Sequence, residues 1–91
     1  MIEVKEAPVF QAKALSQLRP VFLGTHLVEV EPGREAWADL YVYYSDRFEA
    51  HRVVVRYGDT RECEVLGMLD DEDCQNPALK CARYLAWEQG Y

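Results

Sequence analysis

Three cysteines (Cys63, Cys74, Cys81) and two histidines (His26, His51) are the residues of this chain best suited to nucleophilic or metal chemistry. The cysteines are separated by ten and six residues, which fits no zinc-knuckle or zinc-ribbon spacing. Their odd number argues against a closed disulfide framework and for reduced thiols. A pairing of Cys63 with His51 on neighbouring strands is the conceivable nucleophile–base arrangement. Alternation places both on an inward face, however, and a reactive thiolate needs access and an electropositive setting. The run Asp70-Asp71-Glu72-Asp73 lacks the glycine and distal glutamate of a calcium loop, and no glycine-rich phosphate loop is present. The expectation is therefore a protein that is not an enzyme, with no catalytic residue, metal or cofactor assigned.

Charge says more than motif. Sixteen acidic against ten basic residues give a formal charge of −6. Phosphate binding rests on clustered lysine and arginine, so direct contact with nucleic acid is not expected. The natural partners are proteins with basic surfaces, including the grooves in which such proteins hold nucleic acid. Solubility alone is the ordinary alternative. Hydrophobic content of 49% and charged content of 29% suit one soluble domain over residues 1–91. No apolar run reaches the roughly 18 residues of a membrane span. The opening Met1-Ile-Glu-Val-Lys-Glu lacks the layout of a secretory signal, so a cytoplasmic location is expected.

The elements that would position these residues follow from periodicity. Residues 2–5 alternate and suggest a short edge strand. Pro8 suits a first helical position, Phe10, Ala14, Leu15 and Leu18 share a helical face, and Pro20 disfavours helix at Arg19, predicting a helix over 8–19. Period-two segments then run His26–Glu31, Ala38–Ser45, Ala50–Tyr57 and Glu62–Leu66, punctuated by Pro32-Gly33, Ser45-Asp46-Arg47 and Gly58-Asp59-Thr60. The third strand sets His51, Val53, Val55 and Tyr57 against Arg52, Val54 and Arg56. The fourth sets Cys63 and Val65 against Glu62 and Glu64, which predicts that Arg52 and Arg56 share a face with Glu62 and Glu64. Asn76 then caps a helix begun by Pro77 and stopped near Gly90, with Ala78, Leu79, Ala82, Leu85 and Ala86 on one face. The fold expected is α+β: an antiparallel meander of three or four strands, with an N-terminal and a C-terminal helix on one sheet face.

Two surfaces stand out as binding candidates. The outer sheet face would gather Glu29, Glu31, Asp39, Tyr41, Tyr43, Glu62 and Glu64, with Trp37 at its border and Asp70, Asp71, Glu72 and Asp73 as an extension. Carboxylates along a strand beside aromatics can imitate a phosphate row. The last helix would present Lys80, Arg83, Tyr84, Trp87 and Tyr91 opposite its small-residue face, and Trp, Tyr and Arg dominate binding hot spots. A homodimer through that helix is the rival to a foreign partner.

The order helix–three strands–helix resembles the double-stranded-RNA-binding domain over roughly residues 8–89. That family grips phosphates with lysines at the start of its last helix, where this chain reads Asp-Asp-Glu-Asp-Cys-Gln-Asn-Pro, so RNA binding is not implied. In size, acidity and architecture the chain also resembles the anti-CRISPR proteins, small inhibitors that phages and mobile elements direct at bacterial defence. That resemblance implies a nucleic-acid-handling defence complex as partner and the host cytoplasm as the place of action.

Overall fold

Val53, Val54 and Val55 are consecutive and all inaccessible to solvent, so the strand that carries them is buried on both faces. This strand, β4 (Ala50–Tyr57), is the centre of a five-stranded antiparallel sheet. The computed structural model describes residues 9–58 and 60–91. In chain order the elements are β1 (Val9–Gln11), α1 (Ala12–Ser16), β2 (Val21–Glu31), β3 (Arg34–Ser45), β4, β5 (Glu62–Met68) and α2 (Pro77–Glu88). The sheet runs β1-β5-β4-β3-β2, so a four-stranded meander carries the short β1 on one edge. This is the expected α+β meander with two helices.

Alternation along the strands divides the core in two. Ala38, Leu40 and Val42 of β3 and Val53 and Val55 of β4 pack under Ala78, Leu79, Ala82 and Ala86 of α2. Tyr43 and Val54, which neighbour them in sequence, and Cys63 and Val65 of β5 pack under Leu15 of α1 on the other side. The two helices therefore take opposite sheet faces, where the sequence suggested one.

α2 follows its sequence signals closely. The Asn76 side chain accepts from the N–H groups of Ala78 (2.8 Å) and Leu79 (3.3 Å), Pro77 fills the first position, and Gly90 adopts φ 92 just past the end. The N-terminal segment departs from expectation. Of the helix predicted over 8–19, only Ala12–Ser16 is helical, because residues 9–11 instead satisfy their backbone groups on the free edge of β5. The chain leaves α1 through a turn that puts Arg19 at φ 54 ahead of Pro20. The strand suggested for residues 2–5, and Pro8, lie outside the described residues.

Two irregularities set the faces. In β2 the register shifts between Phe22 and Gly24, and Gly24 sits at φ 116, where an added Cβ would lie 2.8 Å from the His26 ring. In β5, Val53 pairs with Gly67 but Val54 pairs with Val65, leaving Leu66 as an extra residue. That bulge reverses the phase of β5: Cys63 and Val65 join the Arg52–Val54–Arg56 face, while Glu62 and Glu64 turn to the α2 side. The predicted sharing of a face by Arg52, Arg56, Glu62 and Glu64 is thereby corrected.

Leu79→Ala should lower stability by about 2–5 kcal/mol, because it opens a cavity between α2 and the sheet. Leu27→Ala, on the exposed surface, should stay within about 0.5 kcal/mol. Urea denaturation of the two variants checks the contrast.

Candidate functional site

α1 is a helix of 5 residues, and its buried Leu15 packs in a cluster with Tyr43, Val54, Cys63 and Val65, with Ala12 and Tyr41 partly buried against it. Among the described residues no helix lies over the same sheet face where it continues across β3 and β2. There Phe22 (53% exposed), Leu27 (50%) and Trp37 (60%) stand in solvent. Strand pairing brings them together: Phe22 lies opposite Tyr41, with ring centroids 5.3 Å apart, and Leu27 lies opposite Trp37. From Tyr41 to Trp37 is four residues of strand, about 13 Å. These exposed side chains make an aliphatic and aromatic surface on this half of the sheet.

Between its two ends the patch carries one polar device. Asp39 accepts from Thr25 Oγ1 at 2.7 Å and from Arg56 Nη2 at 2.6 Å and Nε at 3.2 Å. Burial alone would raise the Asp39 pKa, but the bonds from Arg56 and Thr25 and the charge of Arg56 carry it below the usual carboxylate value. The Arg56 pKa is raised by the same bond to Asp39, against the effect of burial. Burial likewise raises the Tyr41 hydroxyl.

The proposed acidic row is redistributed by this geometry. Glu29, Trp37, Asp39, Tyr41 and Tyr43 do share the face, but Tyr43 is buried at 8% exposure. The Asp39 charge is matched by Arg56, and the Glu29 carboxylate accepts from the Gly33 N–H at 3.0 Å, closing the β2–β3 turn. Glu31 pairs in register with Arg34 at the end of the β2–β3 hairpin. Glu62 and Glu64 belong to the opposite face, as the β5 bulge requires. Arg52, on the patch side of the sheet, lies with its guanidinium 4.5 Å from the Phe48 ring. The Asp70–Asp73 run forms the approach to α2: Asp71 accepts from the Asp73 N–H through its carboxylate and from Arg83 Nη1 (2.6 Å) through its carbonyl.

No described element covers the α2 surface, since α1 lies on the other side of the sheet. Tyr84 (62% exposed), Trp87 (51%) and Tyr91 (40%) face solvent with Lys80, and Arg83 is half-buried with its guanidinium 5.5 Å from the Trp87 ring. A hydrogen bond to Glu88 raises the Tyr84 pKa.

Phe22 and Leu27 were not singled out by sequence. Val21-Phe22-Leu23-Gly24 reads as a lead-in rather than a strand, although Leu27 already alternates with Glu29 on the polar side of its segment. All three cysteines are free thiols. Cys63 is inaccessible on the α1 side, whereas His51 belongs to the α2 side, so the conceivable nucleophile–base pair is not formed. Burial also raises the Cys63 and Cys81 thiol pKa values. Among the described residues no group of His, Cys, Asp and Glu converges in a way that could hold a metal ion. No helix among them is long and apolar enough to cross a membrane.

No protein-family model matches the chain, and no curated sequence or solved structure shows significant similarity to it. The reading of its function rests on its own surfaces.

Two measurements test this arrangement. Because the folded Asp39 pKa lies below its unfolded value, its stabilising contribution is complete above the unfolded value, about 3.9, and is lost as pH falls through the folded one. Asp39→Asn should therefore flatten the acid side of the stability–pH curve while costing about 1 kcal/mol or less at neutral pH. Cys63 should react with a thiol reagent only when the protein unfolds, so its labelling rate should track denaturant concentration.

Proposed function

We propose that this protein is a non-enzymatic binding module that docks on another protein through the uncovered half of its sheet. The observation that carries the reading is the exposure of Phe22, Leu27 and Trp37 on the one sheet face, at the two ends of a stretch that α1 does not reach. Burying such residues contributes about 25 cal/mol per Å² of apolar surface removed from water, and aromatic anchors of this kind dominate interface energetics. The charge of −6 favours a partner with a basic rim and works against self-association, since each copy would meet an equally acidic one. Glu35 and Glu29, exposed and directly opposite at the hairpin end of the patch, are placed to meet such a rim.

The same chemistry suits an inhibitor of a nucleic-acid-handling complex, in the manner of the anti-CRISPR proteins, which occupies a basic groove and excludes the nucleic acid. In this version the contact is an apolar anchor with an acidic margin rather than a continuous imitation of a phosphate row. Self-association through α2 is the second reading, supported by the uncovered Tyr84 and Trp87.

Capture from a bacterial lysate, with the double variant Leu27→Ser/Trp37→Ser run beside the wild type, separates these readings. Loss of a captured nucleic-acid-handling protein in the variant, with competition by DNA, is the expected result. Glu35→Lys should slow association by roughly tenfold at low salt, and less as salt rises. Capture unaffected by the double variant would remove the sheet face from consideration. A dimer by light scattering that Tyr84→Ser/Trp87→Ser dissolves would favour the second reading.

A further inference from the structure

A cleft of about 330 Å³ opens at the far end of α2, with Tyr44, Glu49, His51, Asp70, Trp87 and Tyr91 in its lining. It lies on the α2 side of the sheet and shares no residue with the Phe22–Leu27–Trp37 patch. Its walls are aromatic. The His51 ring meets Tyr44 edge-on, with centroids 5.3 Å apart and planes at 77°, and meets Tyr91 in the same fashion at 5.7 Å and 68°. Tyr44, Trp87 and Tyr91 are all substantially exposed, although aromatic surface of this extent is normally covered when it serves only the core.

Two carboxylates, Glu49 and Asp70, complete the lining, and among the described residues no lysine or arginine lines it. The nearest described cation to its aromatic wall is Arg83, which is tethered to the Asp71 carbonyl and rests against the Trp87 indole at 5.5 Å. That contact shows the indole taking a cation within the chain itself. Glu49 is held in a left-handed conformation, φ 52, at the end of the β3–β4 turn, which fixes where its side chain leaves the backbone.

We propose that this cleft binds an organic cation with an alkylammonium head. Ring faces attract a cation through their quadrupoles when it lies within about 6 Å of the centroid. Adjacent carboxylates supply the opposite charge, and an open mouth admits a head group carried on a chain. An anion would meet both carboxylates, and a neutral apolar ligand would leave them unpaired. The proposal is independent of the sheet-face reading: it concerns different residues, and either can fail alone.

The experiment is a ¹H–¹⁵N NMR titration of the whole chain with choline and with its neutral isostere 3,3-dimethylbutanol. A third arm uses a short peptide carrying one lysine, and a fourth the same peptide trimethylated at that lysine. The indole N–H of Trp37, remote from the cleft, is the internal reference. Expected are saturable shifts in the millimolar range at the Trp87 indole and at the His51 and Asp70 amides with a cationic probe, and little movement with the isostere. Tighter binding of choline than of the peptides assigns the site to a free amine, and the reverse order assigns it to a protein side chain. The double variant Glu49→Gln/Asp70→Asn should weaken cation binding about fivefold, with an otherwise unchanged spectrum reporting that it folds. Trp87→Ala, at an exposed position, should abolish the response. Equal binding of the isostere, absence of a saturable shift with every cationic probe, or an affinity indifferent to the double variant would each overturn the proposal.

Discussion

The structure depends on a shortage of cover. A five-stranded sheet with apolar side chains on both faces is about 24 Å wide across its strands, and helices of 5 and 12 residues span only about 8 and 18 Å. α2, with its alanines lying flat on the strands, closes one face over β2, β3 and β4. α1 closes only the end of the other, above β5 and β4. What the described residues leave uncovered on β2 and β3 is consequently apolar and aromatic.

The same division accounts for the second uncovered region. Because α1 lies on the far side of the sheet, no described element packs on the outward face of α2, and Tyr84, Trp87 and Tyr91 remain exposed among the described residues. The end of that face meets the β3–β4 turn and the segment following β5, which brings Tyr44, His51, Glu49 and Asp70 into one cleft from three separate parts of the chain. Two surfaces of different chemistry thus follow from one topological choice: one apolar and nearly charge-balanced around the Asp39–Arg56 pair, the other aromatic and acidic.

Much of the architecture was legible because it is local. The alternation in β3 and β4, the turn residues between strands, and the Asn76-Pro77 start of α2 each express a short-range rule, and each appears where its residues predict. The failures are non-local. Phe10, Ala14, Leu15 and Leu18 have helical spacing, but a vacant edge on β5 draws residues 9–11 into the sheet, a competition that spacing cannot register. The face of Cys63 turns on a single extra residue, Leu66, whose bulge reverses every side chain on its N-terminal side. The candidate site inherited that error through Glu62 and Glu64, whereas Trp37, Asp39 and Tyr41, which depend on β3 alone, were placed correctly. Phe22 and Leu27 became visible as site residues only once the reach of α1 was known.

The most direct test of the central claim is site-specific photocrosslinking in expressing cells, with a benzophenone amino acid placed at Trp37 and, in a parallel strain, at Tyr84. The account predicts a discrete crosslinked product to a partner protein from position 37 and none of that mass from position 84. A product from position 84 with none from position 37 would contradict it and would move the binding surface to α2.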